Sequence, residues 1–174
     1  MVDVHPQFPD ITFGRLDSRD SISELTTLLH RAYAGLADLG LRYMATHQSD
    51  EITAQRVAQG ECYVARRAGK VIGTIMFKPA EKCSGSPWLD RPEVSCLAQF
   101  GVDPAEQGTG LGAMLLSMVE QRAQETGARE IALDTAEPAH HLVRWYTRCG
   151  YRLIETMQWS HTNYRSVVMS KTIA

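Results

Sequence analysis

The stretch Phe100-Gly101-Val102-Asp103-Pro104-Ala105-Glu106-Gln107-Gly108-Thr109-Gly110-Leu111-Gly112 leads from one apolar pattern into another. Upstream, Val94 to Val102 reads as a strand. Downstream, Leu111, Met114, Leu115, Met118 and Val119 recur at spacings of three and four, with arginine and glutamate opposite. That is the apolar face of a surface helix, and Gly127 suits its end. Glycines let a backbone approach an anion closely. A helix N-terminus adds unpaired N–H groups and the positive end of a dipole. Such a turn can hold a diphosphate without any lysine. The same glycines also suit a connection that only allows tight helix–sheet packing.

Working outward, Ile11–Arg15 reads as a short first strand. Ser21-Ile22-Ser23-Glu24 has capping-box spacing ahead of Ile22, Leu25, Leu28, Leu29 and Ala32, one apolar helical face. A weaker helix starts near Ser49 and runs to Gln59, where Gly60 stops it. Cys62–Ala65 and Val71–Phe77 flank Arg66-Arg67-Ala68-Gly69-Lys70, a hairpin turn. Residues 79–92 read as a loop. After the glycine stretch come a short strand at Ile131–Asp134 and a helix. Pro138 suits the first turn of that helix, Ala139, Leu142, Val143 and Tyr146 form its stripe, and Gly150 closes it. Tyr151–Thr156 and Ser166–Ser170 complete the pattern. The order βαα-βββ-α-β-α-ββ predicts an α+β fold with a mixed sheet.

The chain has 174 residues, which predicts a single domain over 1–174. Eighteen basic and twenty acidic residues leave a formal charge of -2, no electrostatic footprint for nucleic acid or an anionic membrane. MVDVHPQFPDITFGRLD has no basic stretch followed by an apolar run, and no segment approaches the roughly 20 apolar residues that span a bilayer. Cys62, Cys83, Cys96 and Cys149 form no CxxC pair and no zinc-type cluster with histidine. Reduced cysteines, a cytoplasmic location and no metal site are the expectations.

Gly108-Thr109-Gly110-Leu111-Gly112-Ala113 also satisfies G-x-G-x-x-A, the dinucleotide fingerprint, with Asp134 as the ribose-binding acid. Against it, Asp103 to Gln107 separate the first glycine from the strand. The roughly sixty residues that follow are also too few for the rest of a doubly wound domain. G-x-x-x-x-G-K-[ST] does not occur.

At these residues the chain resembles the GCN5-related N-acetyltransferase (GNAT) superfamily. Gln107, Gly110 and Gly112 match its Gln/Arg-x-x-Gly-x-Gly/Ala signature, and Val102-Asp103-Pro104 matches its usual strand ending. Trp145-Tyr146-Thr147-Arg148-Cys149-Gly150-Tyr151 is similar to the family's aromatic-Tyr-x-x-x-Gly-aromatic segment. The resemblance covers about residues 11–171 and is strongest over 94–156. It implies a central mixed sheet of about six to seven strands flanked by about four helices. It also implies acetyl-CoA as the donor cosubstrate, with direct transfer to a primary amine of a small molecule or peptide. The donor would lie between two splayed parallel strands. Its pantetheine would meet Phe100, Gly101 and Val102, and its diphosphate the turn Gln107, Gly108, Thr109, Gly110, Leu111 and Gly112. Leu142 and Tyr146 would lie against it, with Tyr146 as general acid to the leaving thiolate. A homodimer stays open beside a monomer.

Two departures from the family pattern stand out. Cys96 and Ala98 occupy strand positions where relatives place a base, and Glu93, near the strand start, is a candidate base acting through water. Ala139 stands seven residues before the tyrosine, where many relatives carry asparagine, with His140 and His141 beside it as substitutes. The lack of a strand base leaves a binding-only acyl-CoA sensor as the alternative function. Tyr33, Tyr43, His47, Trp159, His161 and Tyr164 are the candidate acceptor-side residues, equally suited to ordinary packing.

Overall fold

The computed structural model describes residues 3–173. Eight strands form one mixed sheet in the order β1-β2-β3-β4-β5-β6-β8-β7. They are β1 (Asp3–Val4), β2 (Ile11–Arg15), β3 (Glu61–Arg67), β4 (Lys70–Lys78), β5 (Val94–Val102), β6 (Glu130–Ala136), β7 (Arg152–Met157) and β8 (Ser166–Thr172). Four helices flank the sheet: α1 (Ile22–Asp38), α2 (Asp50–Val57), α3 (Leu111–Glu125) and α4 (His140–Arg148). The α+β prediction, its seven longer strands and its four helices are all present; the two-residue β1 is additional.

Period-2 alternation builds two cores. Tyr63, Ala65, Ile75 and Phe77 face α3 and α4, while Cys62, Val64 and Met76 face α1. Ser21 Oγ accepts from Glu24 N to start α1, and Ser49 Oγ accepts from Ile52 N to start α2. The apolar face of α1 continues past Ala32 through Tyr33 to Leu36, so the helix is longer than its sequence pattern suggested. The β3–β4 turn places both Ala68 and Gly69 at positive φ, 50° and 78°, which matches the twist of the strands it joins.

All neighbouring strands are antiparallel except β5 and β6. That parallel pair is short: Val94–Cys96 against Glu130–Ala132. Beyond it β5 stays with β4, and β6 stays with β8 along its whole length. The sheet therefore forks at Leu97 and Leu133. A bulge sharpens the fork: the β4–β5 register shifts between Thr74 and Met76, and Gln99 opposite takes φ 46°.

Two expectations need correction. Cys83 and Cys96 are joined as a disulfide, with Cα atoms 6.1 Å apart, because the loop after β4 folds back over the start of β5. Their spacing carries no sequence signal for this; Cys62 and Cys149 are free, as expected. Pro138 lies in the turn before α4, whose N-cap is Ala139. Among the described residues no helix is long and apolar enough to cross a membrane, and no group of three metal-ligating side chains occurs.

Candidate active site

The fork opens into a cleft of about 730 Å³. One end is walled by the β5 terminus, the glycine turn and α4; the other by α1, β6 and the β7–β8 connection. Phe100, Gly101, Val102, Gln107, Gly108 and Gly110 line the first end, as do Gly112, Leu142 and Tyr146. Thr109 and Leu111 do not. The Thr109 hydroxyl donates to the Glu106 carbonyl at 2.6 Å, and Leu111, the first residue of α3, is turned into the core.

The turn is fixed from both sides. Asp103 accepts from Ala105 N at its start and from Arg31 Nη2 at 2.7 Å. Burial alone would raise its carboxyl pKa, but these partners more than offset that and hold it low. The Gln107 amide donates to the Val102 carbonyl at 3.2 Å. Gly108 and Gly110 take φ 78° and 90°, the left-handed region where glycine is at ease. Among the described residues, the backbone N–H groups of Gln107 through Ala113 find no protein acceptor. A Cβ on Gly108 would meet nothing within 4 Å. A row of free N–H groups with glycine surfaces, at the N-terminus of a fifteen-residue helix, fits a diphosphate.

Tyr146 sits on α4 where the two ends meet. Its ring packs edge-on against Trp145 at 5.0 Å and Tyr151 at 5.7 Å. Its hydroxyl has no hydrogen-bond partner among the described residues, although the ring is 92% covered (8% exposed). Burial raises its pKa well above the usual phenol value, with Tyr33 and Tyr43 adding to the effect. The phenol is thus fully protonated at neutral pH.

At the other end, Asp134 projects from β6 just past the fork. Solvent reaches it through the cleft, yet protein surrounds it, and that burial raises its carboxyl pKa. Trp159 Nε1 donates to its Oδ2 at 2.9 Å. Gly85 makes room for that indole, since a Cβ there would come within 2.5 Å of it. Tyr33, Tyr43, Trp159, His161 and Tyr164 all line this end; His47 does not. Tyr43 is fixed by Thr135 Oγ1 at 2.8 Å and by Ala136 N, which donates to its oxygen.

Some candidates are elsewhere. Glu93 lies outside the cleft, ion-paired with Arg91 at 2.5 Å, and its pKa is held below the ordinary carboxylate value. Cys96 is in the disulfide; Ala98 lines the cleft but has no acid–base chemistry. His141 reaches the cleft and His140 does not. Asp134 and Arg56 are the cleft residues that sequence reasoning missed in these positions; Asp134 was read only as a ribose-binding acid.

Comparisons with known proteins agree with this geometry. S-(2-succino)cysteine N-acetyltransferase of Bacillus subtilis (strain 168) is 28% identical over 142 residues, 79% of this chain and 82% of that protein. The ribosomal-protein-S18-alanine N-acetyltransferase of Escherichia coli superposes with a TM-score of 0.70 at 15% identity, covering 94% of each chain. A GNAT family acetyltransferase from Elizabethkingia anophelis, solved with acetyl-CoA bound, gives 0.65 at 18% identity over 94% of this chain and 98% of its own. The profile of the Acetyltransferase (GNAT) family matches residues 23–151, the span that carries the fork, the glycine turn and Tyr146. The chain belongs to the Acetyltransferase (GNAT) family.

Proposed function

We propose that the protein is a single-domain N-acetyltransferase that moves an acetyl group from acetyl-CoA to a primary amine of a small molecule or peptide, directly, with both substrates in the cleft. The observation that carries this reading is the run of unpaired N–H groups at 107–113, which opens onto the same cleft as Tyr146 and Asp134. The relative from Bacillus subtilis, named for acetylating a cysteine derivative on nitrogen, supports a small-molecule amine.

Bound acetyl-CoA supplies an acetyl carbon activated as a thioester. The protein's own residues do the rest. Gln107, Gly108, Gly110 and Gly112 hold the diphosphate with backbone N–H groups, and Thr109 and Leu111 complete the turn between them. Phe100, Gly101, Val102 and Leu142 guide the pantetheine chain along β5 and α4. Asp134 accepts a proton from the incoming ammonium, leaving the nitrogen lone pair free to attack. Tyr146 gives its proton to the sulfur as the carbon–sulfur bond breaks. Alignment of both reactants at the fork can lower the barrier by roughly 7–11 kcal/mol. The binding-only alternative rests on the lack of a base on β5; Asp134, on the neighbouring strand β6, supports the catalytic reading.

Thiol release measured over an amine panel, alongside melting with and without acetyl-CoA, tests the proposal. Acetyl-CoA-dependent stabilisation with amine-dependent thiol release is expected. Stabilisation without turnover of any amine overturns catalysis in favour of a sensor.

A further inference from the structure

Arg56 is a cation built into the acceptor end of the cleft; among the described residues no carboxylate touches it, and Asp134 acts on it only from a distance. Its Nη1 donates to Gln48 Oε1 at 2.7 Å. Gln48 is in turn locked: its Nε2 donates to Thr53 Oγ1 at 2.7 Å and to Gln99 Oε1 at 2.8 Å. Gln48, Thr53 and Gln99 are 1%, 0% and 4% exposed, so this amide chain is a buried scaffold running from α2 to the bulge of β5. One guanidinium donor is used, and a guanidinium has five. Among the described residues no acidic oxygen lies within ion-pair range of Arg56, although it lines the cleft. Lys78 is a second partly buried cation close enough to repel it, and it too feels Asp134 only at longer range, with no ion pair among the described residues.

Two partly desolvated cations share one carboxylate, Asp134, that contacts neither of them, and desolvating a cation without a contacting partner is costly. Burial indeed pulls down the pKa of both side chains, Arg56 and Lys78. The free guanidinium donors leave room for a contacting anion, which a ligand can bring. Asp134, an acceptor for an ammonium, lines the same cleft within electrostatic range of Arg56, and Tyr33, Tyr43, Tyr164 and Trp159 line it with them. Resting on the acetyltransferase reading above, we propose that the acceptor is an amino acid or close derivative, whose amine is taken by Asp134 and whose carboxylate is taken by Arg56. A guanidinium recognises a carboxylate through paired N–H donors, so the charge selects as well as binds.

The test compares L-phenylalanine, L-phenylalaninamide and 2-phenylethylamine, with L-methionine and L-methioninamide as a second series. The side chain and amine are constant within each series, and only the carboxylate changes. In the wild-type protein the acids should exceed the amides and the amine in kcat/KM by about 10- to 100-fold, carried by KM. In Arg56→Gln that ratio should fall towards one, and Arg56→Lys should restore part of it. Melting with acetyl-CoA, run on each variant, confirms a folded donor site. Equal turnover of acids and amides by the wild-type protein overturns the proposal, as does a preference that survives Arg56→Gln. Acetyl-CoA stabilisation with turnover of the carboxylate-free compounds alone also overturns it, as does turnover of other amines but of neither acid. Absence of turnover of every amine by the wild-type protein, with or without acetyl-CoA stabilisation, instead defeats the underlying acetyltransferase reading.

Discussion

Two side chains with opposite charge requirements face each other across the fork, and each supports a prediction. Tyr146 must be a phenol to donate a proton, but its ring also fills the α4 core. Tyr146→Phe keeps the ring and loses only the hydroxyl, which has no protein partner to forfeit. Turnover should fall by about 10²–10⁴-fold with melting nearly unchanged. Normal turnover in that variant, with chemistry limiting the rate, assigns the proton to water or another group. Asp134 differs because its charge is held against the preference of its surroundings. Its folded pKa lies above the ordinary value, so the native state favours the protonated form. The stabilising contribution of that preference is present at low pH and lost as pH rises through the raised pKa. At neutral pH Asp134→Asn should therefore remove turnover without lowering Tm, while the amide can still accept from Trp159. A large drop in Tm would mark Asp134 as a structural acid.

At the scale of elements, the decisive unit is β5, the glycine turn and α3. Gly108 is the informative position: its φ is 78°, which asparagine and aspartate tolerate best among side-chain residues, and its surroundings are open. Gly108→Asp should fold, yet place a carboxylate where an anion belongs. Wild-type protein at ~100 times the dissociation constant of acetyl-CoA should gain about 2.7 kcal/mol, or about 5–10 °C in Tm; the variant should gain almost nothing. An unchanged shift would remove the turn from donor binding. This unit was legible in the sequence because strand, glycines and helical stripe are local, and so was the aromatic segment around Tyr146. The acceptor end was not. Arg56 looks like any surface arginine on a short helix until Gln48 meets Gln99, fifty-one positions away. Asp134 reaches the site only because the parallel β5–β6 pairing ends after three residues, a register that no local pattern encodes. The disulfide is hidden for the same reason, since a loop folding back onto β5 is a tertiary event.

For the molecule as a whole, fold and activity should part company as pH falls. Three carboxylates tie distant elements together and have depressed pKa values. Asp20 is partly buried, which would raise it, but hydrogen bonds from Arg66 and from Asp17 N outweigh that. Glu61 is lowered mainly by Arg122, which donates from Nε and Nη2 at 2.9 Å each. Glu130 is likewise lowered despite burial, by Arg152, Thr172 and Ser170. A depressed folded pKa contributes stability that is present above the unfolded value, near pH 4, and is lost as pH drops through the folded value. The fold should therefore hold until the pH is below the ordinary carboxylate range. Asp134 shifts the opposite way, upward from its ordinary value, because burial raises it. Its basic form disappears while the three ion pairs are still intact. An amino-acid acceptor, whose amine pKa lies well above neutral, is fully ammonium throughout this window and adds no further acid limb. kcat/KM should accordingly decline on acidification well before tryptophan fluorescence reports unfolding. Both are measured on one preparation, with the acetyl-CoA melting shift as a check that donor binding persists. Activity that stays level down to the unfolding transition would remove Asp134 as the base. Asp20→Asn, by contrast, should move the acid unfolding transition and flatten its pH dependence while leaving the acid limb of kcat/KM in place, because its ion pair lies outside the cleft.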